Sequence, residues 1–142
     1  MVVRRLMRVL IVDDSPIVRE RVGAMIAEVP GVVNAGHAED SLGAMRCVRE
    51  LSPDVVVLDI SLRGGSGLDV LHEIKKAGRA PVVIVLSNLS YEQYRRRCHE
   101  AGADYFFDKS TEFERVAEVL KAMSLPGGGL EAGRTPAEKE EA

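Results

Sequence analysis

Cysteine is scarce in this chain of 142 residues: only Cys47 and Cys98 occur, far apart and in no C-x-x-C or Cys/His cluster. That scarcity argues against a disulfide scaffold or a thiolate zinc site and suits a reducing cytosol. Long apolar runs are missing as well. None approaches the roughly 20 residues that a bilayer-crossing helix needs. The basic start at Arg4, Arg5 and Arg8 has no apolar stretch of signal-peptide length behind it. Nor is there an excess of basic charge, with 19 Lys and Arg against 22 Asp and Glu and a formal net charge of −3. A near-neutral surface has no global field to gather nucleic acid or an anionic membrane. These absences predict a cytoplasmic, soluble chain with no direct nucleic-acid contact and no membrane insertion.

What is present is an ordinary globular balance, 46% hydrophobic and 29% charged, in a length that suits one domain. A core of this size needs no covalent staple. Four β-branched runs punctuate the chain, at residues 9–12, 32–33, 55–58 and 82–86, with a fifth candidate strand at Tyr105-Phe106-Phe107. Most are apolar without alternation, as parallel strands covered on both faces should be.

Helical spacing fills the intervals. Ser15-Pro16 reads as an N-cap with proline in the first turn, followed by Val18, Val22, Met25, Ile26 and Val29 on one face. Residues 41–51 form a second helix with Leu42, Met45 and Val48 inward, and residues 68–76 a third with Val70, Leu71 and Ile74 as its apolar face. A fourth, polar helix spans about residues 90–101. A fifth starts near Ser110, where Thr111 and Glu114 have capping-box spacing. Five strands alternating with five helices imply an α/β fold, a doubly wound parallel sheet with right-handed crossovers. Beyond residue 125 the glycine-rich, acidic residues 126–142 read as a flexible tail.

In such a sheet, ligands bind beyond the carboxyl ends of the strands. Asp13 and Asp14 follow the first run, Asp59 the third, Ser87 the fourth, and Asp108-Lys109 the fifth. Asp13, Asp14 and Asp59 converging in one cleft repel one another unless a cation sits among them, and carboxylate oxygens suit Mg²⁺. A carboxylate beside such a metal can act as a nucleophile toward phosphorus, forming an acyl phosphate. Ammonium and hydroxyl donors such as Lys109 and Ser87 would then hold the equatorial oxygens. Asp59 is the better nucleophile candidate because its strand is central. Taken singly, each residue has a plain alternative as a helix cap, a turn residue or a solvated lysine. Their joint placement is what favours chemistry.

The segments Val9-Leu10-Ile11-Val12-Asp13-Asp14-Ser15-Pro16, Val57-Leu58-Asp59, Leu86-Ser87, Ala101-Gly102-Ala103-Asp104 and Phe106-Phe107-Asp108-Lys109, in this order and spacing, resemble the CheY-like receiver domain of two-component response regulators. The resemblance covers residues 7–124. It implies the flavodoxin-like strand order 2-1-3-4-5, with Asp59 as phosphoacceptor. It also implies Mg²⁺ bound through the side chains of Asp14 and Asp59, through water on Asp13, and through the backbone carbonyl of Ser61. Ser87 and Lys109 stand at the family's conserved hydroxyl and lysine, and Phe106 at its switch aromatic. A histidine kinase or phosphotransfer protein is the implied donor, and residues 89–124 the implied surface for a downstream protein.

Three features depart from the family pattern: Ser110 replaces the proline usual after the lysine, Asn88 follows Ser87 in place of a small residue, and Arg63-Gly64-Gly65 replaces a loop proline. The expected function is a stand-alone signalling receiver that assists its own phosphorylation and dephosphorylation but is not a turnover enzyme; homodimerisation is left open. A dehydrogenase would need a glycine-rich turn after the first strand, where Asp13-Asp14-Ser15-Pro16 stands. A dehalogenase-like phosphatase would, by resemblance, want an Asp-x-Asp pair where these acids are adjacent. A receiver that binds partners without phosphorylation remains an alternative because of Ser110 and Asn88.

Overall fold

A computed structural model of the chain describes residues 5–62 and 65–125. Arg63, Gly64 and the expected tail at residues 126–142 lie outside the described residues. The elements run β1 (Met7–Val12), α1 (Pro16–Ala27), β2 (Val32–Ala38), α2 (Ser41–Leu51), β3 (Val55–Leu58), β4 (Ser61–Leu62), β5 (Gly65–Ser66), α3 (Gly67–Lys75), β6 (Val82–Ser87), α4 (Glu92–Glu100), β7 (Tyr105–Asp108) and α5 (Arg115–Ser124). The main sheet has the order β2-β1-β3-β6-β7, and every pairing in it is parallel. With the antiparallel β4–β5 hairpin set aside, this is the expected doubly wound arrangement.

The sheet divides the core into two layers because successive strand residues face opposite sides. Val9 and Ile11 of β1 join Ile84, Leu86, Tyr105 and Phe107 under α1 and α5. Leu10 and Val12 join Val56, Leu58, Val83 and Val85 under α2, α3 and α4. The whole of β3 is buried, as is all of β6 after Val82, which is why these strands show no hydrophobic alternation.

Local signals place most helix ends. Ser15 Oγ accepts from the Val18 N–H and Pro16 opens α1. Asp40 caps α2, and Ser52 closes it in the left-handed region at φ 46° before Pro53. Four expectations need correction. Leu42 faces solvent, 74% exposed, while Ala44 is the buried residue of α2; Met45 and Val48 pack partly against the core. Val29 is buried but lies past the end of α1 at Ala27.

The fifth helix begins at Arg115, with Glu114 at its cap making no side-chain bond, so Thr111 and Glu114 form no capping box. Turn bonds from Asp108 take over there: Ser110 and Thr111 N–H groups donate to its carboxylate, and the Glu112 N–H donates to its carbonyl. The second strand runs to Ala38 rather than stopping at Val33, with a register shift opposite Val9 and Leu10 that bends this edge strand.

The two cysteines separate cleanly. Cys98 is fully buried, and burial pushes its thiol up to about 11 despite the nearby Arg97 charge. Cys47 is half-buried, its thiol near the His37 carbonyl at 3.7 Å. Iodoacetamide at neutral pH is expected to modify Cys47 in the folded protein and to reach Cys98 only after unfolding, as peptide mapping would read. Equal labelling of both would contradict this packing.

Candidate functional site

The site is built from strand ends. The Asp13 N–H donates to the Ala38 carbonyl and the Asp59 N–H to the Val12 carbonyl, so the ladder itself sets both acids side by side as it runs out. Asp13 is 3% and Asp59 5% exposed. The Ser15 N–H donates to Asp13 Oδ1 at 2.8 Å and the Ser61 N–H to Asp59 Oδ1 at 3.1 Å. Lys109 spans the remaining oxygens, its Nζ lying 2.9 Å from Asp13 Oδ2 and 3.1 Å from Asp59 Oδ2. Asp14, half-buried, completes a group in which one carboxylate oxygen from each of Asp13, Asp14 and Asp59 lies within 4.8 Å of the others.

Three carboxylates and one ammonium leave net negative charge in a water-poor cleft. Burial raises Asp59 above its ordinary carboxyl value, against the Lys109 charge and the Ser61 N–H, with the Asp13 charge adding to the rise. Burial pushes Lys109 down, but the two carboxylates outweigh it and its ammonium ends above the ordinary lysine value.

The sign for stability follows. An acid whose folded pKa is raised destabilises the fold when ionised, so the cost of Asp59 is present above its folded pKa and falls away below it. Asp59→Asn is therefore expected to raise the unfolding temperature in chelator near neutral pH, on the order of a few degrees. An unchanged or lower midpoint in a thermal melt would contradict the charge balance.

On the other side stands Ser87, fully buried. Its Oγ accepts from the Leu89 N–H at 3.1 Å, and its carbonyl accepts from the Lys109 N–H at 3.0 Å, which ties the β6 and β7 ends together. Asn88 and Ser110, the two departures noted in the sequence, meet across this seam: Ser110 Oγ lies 3.2 Å from Asn88 Oδ1. The Ser110 N–H donates to Asp108 Oδ1 at 2.7 Å, a bond that proline could not make. No peptide among the described residues is cis. Phe106 is 8% exposed and packs in the α2–α3–α4 layer.

Several contributors carry no signal in short motifs. The Arg19 guanidinium donates to the Asp13 carbonyl at 2.7 Å. Gly67 opens α3 directly against the Asp59–Ile60 backbone, with no room for a Cβ. Glu112 accepts from the Asp108 N–H and from Arg95. Burial pushes Glu112 up, yet these donors outweigh it and hold the carboxyl below its ordinary value. The Arg95–Glu112 pair and the Gly67 approach join separate segments, so spacing along the chain does not reveal them.

A parallel sheet that brings an acid cluster, a lysine and a buried hydroxyl to its carboxyl edge defines the receiver class of signalling domain. Residues 9–121 match the response regulator receiver domain, and the chain belongs to that family, whose members act in two-component signalling.

Among curated relatives, protein-glutamate methylesterase/protein-glutamine glutaminase 1 of Methanospirillum hungatei is 35% identical over 116 residues, covering 80% of this chain and 34% of that protein. The Myxococcus xanthus protein-glutamate methylesterase/protein-glutamine glutaminase 5 is 35% identical over 143 residues, covering 95% of this chain and 41% of that protein. The chain thus spans from 34% to 60% of the length of curated relatives it matches. Of solved structures, the response regulator domain of Thermotoga maritima CheB aligns with TM-score 0.72 at 33% identity, over 82% of this chain and 91% of that one. A LuxR-family two-component response regulator from Aurantimonas aligns with TM-score 0.79 at 28% identity, over 96% and 94%. Among the described residues, no helix is long and apolar enough to cross a membrane.

Proposed function

We propose that this chain accepts a phosphoryl group on Asp59 from a histidine kinase or phosphotransfer protein, and that the acyl phosphate switches a protein-binding surface within residues 89–124. The observation that carries the reading is the Asp59 carboxylate, buried yet bridged by Lys109 to Asp13. A carboxylate oxygen of Asp59 forms the new bond to phosphorus while the bond from phosphorus to the donor's imidazole nitrogen breaks. Lys109 is within reach of the oxygens it already pairs with and would neutralise the charge that the transferred group brings. Ser87 offers a hydroxyl proton, and its replacement by alanine would leave that oxygen unsolvated.

The donor set fits a hard divalent cation: three carboxylates close together, more negative charge than Lys109 offsets, and no soft ligand. Asp13, Asp14 and Asp59, with the Ser61 carbonyl, would hold Mg²⁺, which when bound supplies charge neutralisation for the incoming phosphoryl oxygens. Millimolar Mg²⁺ is expected to raise the unfolding temperature of the wild-type protein, because a ligand that binds only the folded state stabilises it by mass action. In Asp14→Asn that increment should largely disappear. An equal shift in both proteins would mean the cation binds elsewhere.

The proposed unit is residues 7–124, acting in the cytoplasm as an acceptor rather than as a turnover enzyme. Intact-mass measurement after incubation with Mg²⁺ and acetyl phosphate tests this. One alkali-labile phosphoryl adduct, dependent on metal and missing from Asp59→Asn, is the expected result. Labelling that survives in Asp59→Asn removes the assignment. No adduct with acetyl phosphate or with a cognate kinase would leave phosphorylation-independent binding as the function.

A further inference from the structure

Helix α4 is short and polar. It has nine residues, no side-chain N-cap bond, and Cys98 as its one buried residue. Such an element opens and shifts at low cost. Cys98 and Tyr94 pack it on the α2–α3–α4 layer, and the Arg95 side chain joins it to two turns at the edge of the sheet. The Arg95 guanidinium donates from Nε to the Ser90 carbonyl at 3.1 Å and from NH2 to Glu112 Oε1 at 3.1 Å. Its NH1 lies 3.5 Å from the Phe106 carbonyl, a weak contact, and its Cζ sits 4.7 Å above the Phe106 ring. Glu112 in turn accepts from the Asp108 N–H at 3.0 Å, through the same Oε1.

Each anchor belongs to a segment that carries part of the site. Ser90 lies in the turn that leaves Ser87, Phe106 in the strand that leads to Lys109, and Glu112 in the turn that follows it. The Ser87 hydroxyl that now accepts from the Leu89 N–H would be redirected by a phosphoryl oxygen. Lys109, now divided between two carboxylates, would be redirected likewise. Either change bears on the bonds that now join the two turns, the Lys109 N–H to the Ser87 carbonyl and Ser110 to Asn88, and the planar Arg95 fork, satisfied by acceptors on both turns, is sensitive to their relative placement.

We propose that Arg95 is the positioning residue that transmits the state of Asp59 to α4, by clamping the 87–90 and 108–112 turns to the helix in one geometry and releasing it in the other. This rests on Asp59 being the phosphoacceptor. It adds to Ser87 and Phe106 a third, charged member that sets how strongly α4 responds. The clamp is a difference in contacts between two states, which is what a switch requires.

Amide hydrogen exchange of the full chain, read on peptides covering Glu92–Glu100 with and without Mg²⁺ and acetyl phosphate, tests it at equal phosphoryl occupancy set by intact mass. In the wild type, exchange across α4 should change several-fold on phosphorylation. In Arg95→Ala it should be fast in both states, with the phosphorylation-dependent change lost. Arg95→Lys keeps the charge and the helix but not the fork, and should behave like the alanine variant; this separates loss of the clamp from loss of fold.

A response in Arg95→Ala or Arg95→Lys equal to that of the wild type overturns the inference. So does a phosphorylated wild type whose α4 does not respond, an outcome that leaves Asp59 standing as acceptor. A wild type that takes up no phosphoryl group removes the acceptor reading, and the clamp's role falls with it.

Discussion

Lys109→Ala should lose phosphoryl acceptance almost completely, by about 10²–10³-fold in rate, the usual cost of deleting one preorganised donor at a developing charge. The same substitution should unsettle the fold. Asp13 and Asp59, both nearly inaccessible to water, share this one ammonium, and removing one partner of a buried pair costs about 3–5 kcal/mol. Asp59, already raised by burial, can take up a proton and limit that loss, so the deficit should grow as pH rises through its folded-state pKa.

Urea unfolding with and without Mg²⁺, beside quench-flow labelling by acetyl phosphate, separates the two effects. The cation should restore part of the stability, because it offsets the same carboxylates, and little of the rate. A Lys109→Ala protein as stable as the wild type in chelator would show that the ammonium does not hold the acid pair.

The second large effect falls on a residue with no chemistry of its own. In Gly67→Ala the added Cβ would overlap the Asp59 carbonyl oxygen and the Ile60 Cα, and would lie 2.9 Å from the Ile60 carbonyl carbon. All three are backbone, and the Gly67 N–H is bonded to the Ile60 carbonyl at 2.9 Å, so no side chain can swing away. The strain should reach or exceed the upper part of the usual range for overpacking, about 1–3 kcal/mol, and it acts on the peptide that carries Asp59, the proposed acceptor. Phosphoryl acceptance should fall along with the denaturation midpoint. Gly78→Ala is the matching control, since a Cβ there meets nothing within 4 Å; it should be neutral or gain up to about 1 kcal/mol by restricting the unfolded chain. Equal effects at both positions would mean that α3 shifts freely and the close approach at Gly67 carries no constraint.

Much was legible along the chain because some signals are local. Apolar runs such as residues 55–58 announce strands buried on both faces, Ser15-Pro16 and Ser52-Pro53 announce helix ends, and a carboxylate directly after an apolar run lands at a strand's carboxyl end whatever the neighbouring strand. From those facts alone Asp13, Asp14, Asp59, Ser87 and Lys109 belonged on one edge of a parallel sheet. Helical spacing does not by itself decide which residue faces in. Leu42 lies at the exposed start of α2, while the smaller Ala44 fits the space under the helix. Helix α5 starts later than Ser110 because the Asp108 carboxylate and carbonyl hold residues 110–112 in a turn, and the first N–H groups of α5 donate to the carbonyls of Glu112, Phe113 and Glu114.

The order of chemical groups along the strands, and with it the kind of reaction the edge can support, was determined by the sequence itself. Which oxygens Lys109 pairs with, how closely Gly67 presses on Asp59, and the fastening of α4 by Arg95 were decided only in the tertiary structure. Each of these joins residues from different elements, and their distances depend on how helices settle on a twisted sheet.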